Sequence, residues 1–279
     1  MQLSSVNIFM KKPIIILLLF PFPLLSQNSS DDKYTKIEPA EFIATYSLKD
    51  KRDSLNLDEV RNQEMWLLIG KNSSHFVSKL YYLDSRTSSK FKTRTEINNW
   101  AANRGPYQSR SLYDIYKNYP KGKITFTESS VSGPFRYEED LDVFNWELTQ
   151  DTAIVAGYLS RKATCNYGGR SWVAWFSTEL PFNDGPYKFN GLPGLIVKIY
   201  DSRKHYVFEL TGMNAAEPNL TITMRNYNYF ETTRIKYIRI RESARNSIAS
   251  MVKERGGDAY SQQYATKVML SRNNHIELK

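Results

Sequence analysis

The chain has 279 residues, 41% of them hydrophobic and 24% charged, which is long enough and apolar enough to bury a sizeable core. Its 19 tyrosines, 14 phenylalanines and 5 tryptophans favour strands, where amphipathic rings suit a half-buried face. A single cysteine excludes a disulfide framework, and the three histidines never stand at ligand spacing, so we expect no metal and no cofactor. The net charge of +9 favours an anionic partner.

The first element along the chain has the pattern of an export signal. Lys11 and Lys12 precede the apolar run 14–20, and a polar stretch follows. The run is shorter than the roughly 20 residues that a membrane-spanning helix needs, and Pro13, Pro21 and Pro23 lie on either side of it. We therefore predict a signal peptide over 1–27, cleaved after Ser26 or Gln27, with Met10 as an alternative start. The alternative reading is a buried N-terminal strand.

Residues 28–279 are predicted to form a single β-rich domain, which begins with a loose leader ending near Glu38. Short apolar runs separated by turn residues every 8–12 positions indicate an antiparallel meander. We place strands near 41–48, 64–70, 75–78, 123–127, 135–141, 145–149, 153–163, 171–178, 195–200 and 206–210. Short helices are predicted at 97–102 and 112–116, and one or two amphipathic helices over 232–253. The fold class is thus mainly β with some α: a curved antiparallel meander sheet, short helices and a helical C-terminal region.

The strongest local motif is a hexapeptide that runs Gly191, Leu192, Pro193, Gly194, Leu195, Ile196. Proline fixes its own φ and biases the preceding residue toward extended backbone, while Gly194 can adopt a positive φ. We predict a tight turn that feeds a buried strand. A phosphate-binding loop needs more glycines and a following lysine or helix, so nucleotide binding is rejected.

With the upstream residues Trp175-Phe176, Leu180-Pro181 and Gly185-Pro186, this hexapeptide resembles the GLPGLI family, secreted proteins of Bacteroidetes-type bacteria. The resemblance implies export and an envelope-associated life, often near outer-membrane uptake genes, and it implies no reaction. One departure is that Ser160 stands where the family often has a cysteine, so no thiol role carries over to Cys165. The chain is also loosely similar to the bowl-like N-terminal domain of some secreted bacterial glycan-cleaving enzymes.

No catalytic constellation is recognisable in the sequence. The densest acidic run, Glu138 to Asp142, is interpreted as a solvated edge, and Cys165 as a small buried hydrophobe rather than a nucleophile. Glu179, Asp184 and Lys188 stand among turn residues, where solvated roles are commoner. For ligand contact the candidates are aromatic: Trp172, Trp175 and Phe189. The two tryptophans have odd spacing, so on a regular strand they face opposite sides.

Three functions compete. The first is an exported, non-catalytic envelope protein, periplasmic or extracellular, that binds an apolar, glycan or protein ligand; its expected partner is an outer-membrane uptake system or an anionic envelope component. The second is a secreted hydrolase with a dispersed active site. The third, nucleic-acid binding, is disfavoured by the export signal and by the lack of a reader motif. An apolar pocket would favour the first, and converging Asp, Glu or His would favour the second.

Overall fold

The computed structural model describes residues 33–103, 111–130, 133–254 and 256–278, so the predicted signal peptide lies outside the described residues. The strands are β1 (Tyr34–Asp50), β2 (Arg61–Gly70), β3 (Ser74–Ser78), β4 (Tyr113–Lys117), β5 (Lys123–Ser130), β6 (Gly133–Asp140), β7 (Glu147–Val155), β8 (Tyr158–Tyr167), β9 (Arg170–Ser177), β10 (Leu195–Asp201), β11 (Tyr206–Ala215), β12 (Thr221–Arg225) and β13 (Phe230–Glu231). The helices are α1 (Lys79–Ser88), α2 (Arg94–Asn103), α3 (Arg234–Asn246), α4 (Ile248–Glu254) and α5 (Ala259–Leu270). The mainly β class with short helices is confirmed.

All described strands belong to one large sheet, ordered β13-β6-β5-β4-β3-β2-β1-β11-β10-β9-β8-β7, with β12 paired to β1. Every pairing is antiparallel except that of β13 with β6. The sheet is two runs of sequential strands, β1 to β6 and β7 to β11, joined where β1 pairs with β11. The first strand therefore lies in the middle of the sheet.

The long strand β1 shows why these residues form a sheet. Ala44, Tyr46 and Leu48 alternate with half-buried or exposed residues and are at most 1% exposed, so one face of the strand is core. Tyr46 lies opposite Met65 of β2 and Leu210 of β11, and its hydroxyl donates to the Ile196 carbonyl oxygen at 2.8 Å. This central strand ties both runs and the hexapeptide into one core.

Two hydrophobic clusters cover the sheet. The larger one includes Trp172, Phe176, Phe189 and Tyr237, and the hexapeptide residues Leu192, Leu195 and Ile196 belong to it. The smaller one surrounds Leu68, Val77 and Tyr116. Neighbouring residues on β2, such as Leu67 and Leu68, contribute to different clusters, as expected for a strand buried on both faces.

Several local predictions were wrong, and each error has a nonlocal cause. Residues 112–116, predicted as helix, form β4 because both of its sides are paired, with β3 and with β5. Residues 34–38, predicted as loose leader, are strand because they pair with β12. The turn expected at Gln150-Asp151 lies instead at Ala156-Gly157, where both residues have positive φ.

The C-terminal region is helical, as predicted, and residues 272–278 follow it as a tail without helix or strand. Tyr237 of α3 is buried against Phe126, Phe135 and Tyr137 of the sheet. Among the described residues, no helix has both the length and the apolar composition that a bilayer crossing requires.

Candidate functional site

A cavity of about 220 Å³ lies between the sheet, helix α3 and the C-terminal tail. Its wall includes tyrosines and a phenylalanine from four strands, one loop and helix α3, together with four arginines from three separate parts of the chain. The lining residues include Arg52, Tyr113, Phe126, Glu128, Tyr137, Tyr187, Tyr206, Tyr237, Arg241, Arg245, Arg272, His275 and Glu277.

The arginines reach the cavity from different elements. Arg52 follows β1, and its Nε lies 2.5 Å from Asp50 Oδ2. Arg241 and Arg245 are four residues apart on α3, so they share one face of that helix. Arg272 belongs to the tail. The lining residues carry four guanidinium groups and the carboxyl groups of Glu128 and Glu277, and two of the arginines also form ion pairs outside the lining, Arg52 with Asp50 and Arg245 with Glu242.

The tail is held in place by a dense set of hydrogen bonds. Asn274 N donates to the Arg52 carbonyl oxygen at 2.8 Å, and Asn274 O accepts from Tyr206 Oη at 2.7 Å. Arg170, itself paired with buried Asp201 at 2.9 Å, donates to the carbonyl oxygens of His275 and Ile276. The tail is therefore a fixed wall of the cavity.

The buried polar atoms of the lining residues include Arg241 Nε, Arg245 Nε and His275 Nε2, which have no hydrogen-bond partner within the described part of the chain. Other atoms of both arginines are engaged, since Arg241 Nη2 donates to the Glu277 carbonyl oxygen at 3.2 Å and Arg245 Nη2 lies 2.9 Å from Glu242 Oε2. A buried donor without an acceptor costs about 1–3 kcal/mol.

The electrostatics of the cavity follow from burial and from the arginines. Burial, with Arg241, Arg245, Arg52 and Arg170 acting in the same direction, lowers the pKa of His275 to about 3, so its imidazole is neutral at pH 7. Burial also raises the pKa of Glu128, although Arg241, Arg52 and Arg272 oppose that effect. The Glu128 carboxylate accepts from the Tyr237 hydroxyl.

Beside the cavity lies a buried ion-pair cluster centred on Lys188. The Lys188 side chain is 0% exposed, and its Nζ contacts Glu277 Oε1 at 2.8 Å, Glu139 Oε2 and Tyr137 Oη. Burial raises the pKa of Glu277, but Lys188 and Arg234 outweigh it and lower the pKa to about 2. Glu277 is therefore a permanent carboxylate with both oxygens engaged.

The structure corrects the sequence-based interpretation of Lys188 and Asp184 as solvated residues. Lys188 is fully buried because the carboxylates of Glu139 and Glu277 neutralise it, and Asp184 forms an ion pair with buried Lys117. Glu179 is exposed, and its Oε1 accepts from Leu159 N at 2.8 Å. In the acidic run, Glu138 and Asp140 are exposed, whereas Glu139 points to the other face.

The three aromatic residues predicted to contact a ligand lie in two different environments. Trp172 and Phe189 are 1% and 0% exposed, with ring centroids 4.7 Å apart in the core, and neither lines a cavity described here. Trp175 is half-buried and lines an open cleft of about 410 Å³ with Lys198, Tyr200 and Val207. Val207 lines this cleft while Tyr206 lines the arginine cavity, so the two openings lie on opposite faces of β11.

The hexapeptide forms a turn against the end of β9. Gly191 and Gly194 have φ of +89° and +148°. A Cβ built on Gly194 would lie 2.2 Å from the Ser177 carbonyl oxygen, so only glycine fits there without a shift.

Cys165 is buried, which raises the pKa of its thiol to about 12, and a thiol in that state is a poor nucleophile. Among the described residues, no group of three or more His, Cys, Asp or Glu is arranged to hold a metal ion.

Sequence reasoning missed the arginine cavity, because its lining residues come from segments that together span more than 200 positions of the chain. None of these residues belongs to the hexapeptide. The one available signal was the spacing of Arg241 and Arg245, four residues apart in a predicted amphipathic helix.

Comparison with known proteins gives one short family match and several distant structural matches. Residues 169–198, which span β9, the loop and the start of β10, match a family described as a protein of unknown function, Porph_ging. No curated protein matches the sequence. Crystal structures of PNGF-II in space groups C2 and P21 are similar, with TM-scores of 0.47 and 0.48 at 12% and 11% identity. Each match covers 71% of this chain and 32% of the PNGF-II chain, and this level of likeness transfers no residue role.

Proposed function

We propose that this protein is a non-catalytic binding module that holds a small anionic ligand in the arginine-lined cavity. The observation that carries the proposal is the convergence of four arginines on one cavity. Two of them, Arg241 and Arg245, also have a buried Nε–H group without an acceptor among the described residues. Guanidinium groups bind carboxylate and phosphate oxygens well because their donors form a rigid planar fork. The neutral imidazole of His275 adds a third polar group without adding charge.

The proposal is tested by calorimetric titration with two simple probes, inorganic phosphate and acetate, at low ionic strength and pH 7. Changing Arg241→Gln or Arg245→Gln should weaken binding of the better probe at least tenfold, since a hydrogen bond to a charged group contributes about 1.5–3 kcal/mol. Arg239→Gln is the matched control, because Arg239 lies on the same helix but is exposed and outside the cavity.

Two results would contradict the proposal. Failure of both probes to bind the wild-type protein would show that the cavity is not an anion site. Equal weakening by Arg239→Gln would show that the anion is attracted by the charge of α3 as a whole.

A second candidate, a hydrolase, is favoured by one observation: Glu128, whose pKa burial raises, lines the same cavity as His275 and Glu277. A carboxyl group whose pKa is raised is suited to act as a general acid. Glu277 is already engaged with Lys188, Arg234 and Tyr187, so no second carboxylate is left for a base or nucleophile. Turnover of ester, peptide or glycoside substrates that disappears in Glu128→Gln would favour the hydrolase over the binding module.

We also propose that the protein is exported through cleavage near residue 27 and that it belongs with the GLPGLI proteins. Support for the family comes from the hexapeptide 191–196, which lies inside the matched stretch 169–198. Support for export comes from the basic pair before the apolar run 14–20. N-terminal sequencing of the protein from envelope fractions should begin near Asn28, and retention of Met1 or Met10 would refute export by this signal.

A further inference from the structure

One side of the arginine cavity is a continuous aromatic wall. Phe126 lies at its centre, with ring centroids 5.8 Å from Tyr113, 4.8 Å from Tyr137 and 5.4 Å from Tyr237. Tyr187 extends the wall, 5.7 Å from Tyr113. The cavity thus combines this wall with a polar side formed by the arginines and His275.

The hydroxyl groups of the wall are already used by the protein. Tyr137 Oη accepts from Lys188, Tyr187 Oη donates to Glu277, and Tyr237 Oη donates to Glu128. Tyr113 is hydrogen-bonded to Ser111, and Tyr206 Oη donates to the Asn274 carbonyl oxygen. What the wall offers a ligand is therefore ring surface rather than hydrogen bonds, which suits an apolar ring and disfavours a polyhydroxylated sugar.

The cavity volume limits the size of the ligand. An apolar cavity of about 150 Å³ is sufficient for benzene, and this cavity measures about 220 Å³. The space fits one six-membered ring with a short anionic arm. It excludes dinucleotides, oligosaccharides and long acyl chains as fully enclosed ligands.

We propose that the ligand is a small aryl carboxylate, whose ring packs on the wall around Phe126 and whose carboxylate accepts from the guanidinium groups of Arg241 and Arg245. The inference rests on the proposed anion-binding function and adds the chemical class of the ligand. Ring-on-ring contact favours an aromatic body over an aliphatic one, because offset and edge-to-face arrangements with Tyr and Phe contribute beyond the buried area.

The inference is tested on the wild-type protein with five probes in the same calorimetric titration. Phenylacetate has both parts of the proposed ligand, acetate only the anion, benzyl alcohol only the ring, glucuronate a hydroxylated ring and hexanoate an aliphatic body. We expect phenylacetate to bind at least tenfold more tightly than each of the other four. If acetate binds but phenylacetate, glucuronate and hexanoate bind no better, the ligand class is wrong while the anion site stands. If no anion binds, the proposed function itself fails.

A pair of variants separates ring surface from hydroxyl chemistry at one wall position. Tyr237→Phe keeps the ring and should leave phenylacetate affinity within about twofold of wild type, whereas Tyr237→Leu should lower it at least fivefold without changing acetate affinity. Circular dichroism checks that both variants fold. A loss in Tyr237→Phe as large as in Tyr237→Leu would show that the hydroxyl binds the ligand and would overturn the apolar wall. If Tyr237→Leu does not fold, the five-probe comparison on the wild-type protein decides alone.

Discussion

Replacing Gly194 with alanine should destabilise the fold through two separate effects. The first is conformational, because Gly194 has φ of +148°, a backbone region that residues with a Cβ rarely adopt. The second is steric, because the new Cβ would lie 2.2 Å from the Ser177 carbonyl oxygen and 2.6 Å from its carbonyl carbon. Both neighbours are backbone atoms of a buried strand end, so the clash can be relieved only by moving the hexapeptide away from β9.

The magnitude follows from adding the two effects. A non-glycine residue in a sparsely populated backbone region costs about 1–3 kcal/mol. Moving the turn disturbs the bond from Leu195 N to the Leu180 carbonyl oxygen, at 2.9 Å, and the packing of Leu192 and Leu195, which are 1% and 0% exposed. Overpacking of a tight core typically costs a further 1–3 kcal/mol. We therefore expect a total of about 2–6 kcal/mol.

The assay is thermal unfolding followed by circular dichroism, with chemical unfolding as a second measurement. In a chain of this size each kcal/mol lowers the midpoint by about 2–4 °C, so Gly194→Ala should lower it by about 4–24 °C. Gly157→Ala is the matched control, because Gly157 also has a positive φ, +87°, but nothing lies within 4 Å of its built Cβ. The control should show only the conformational cost.

Equal midpoints for Gly194→Ala and Gly157→Ala would refute the steric part of this reasoning. They would mean that the turn and the end of β9 are not in close contact in solution. If Gly194→Ala left the midpoint unchanged, that result would also refute the positive φ of Gly194.

Two further predictions concern buried charge. Lys188→Met should destabilise by about 3–5 kcal/mol in denaturant unfolding, because it leaves Glu139 and Glu277 without their buried cation. Lys123→Met, which removes an exposed pair with Asp140, should change the midpoint little, and an equal effect of the two variants would contradict the buried network. His275 has a folded pKa of about 3, below its unfolded value, so stability should fall by about 1 kcal/mol per pH unit as pH drops from about 6.5 toward 3. His275→Gln should flatten that slope between pH 6.5 and 4.5 in urea titrations, and an unaltered slope would show that the imidazole is not held neutral by burial.

The sequence by itself determined the mainly β class, most strand positions and the tight turn at the hexapeptide. These follow from local rules: alternation of apolar residues along β1 and β9, and the freedom of Gly194 beside the restriction of Pro193. The amphipathic helix α3 was also predictable from the spacing of its apolar residues.

The tertiary structure alone decided what depends on partners far along the chain. Segment 112–116 is a strand because β3 and β5 flank it, and Lys188 is buried because Glu139 and Glu277 meet it. A polar residue among turn residues looks solvated in sequence, since local pattern contains no information about a carboxylate 49 positions away. The arginine cavity has the same origin: Arg52 and Arg241 come together only because the C-terminal helices pack back onto the sheet, and packing is a property of the whole fold.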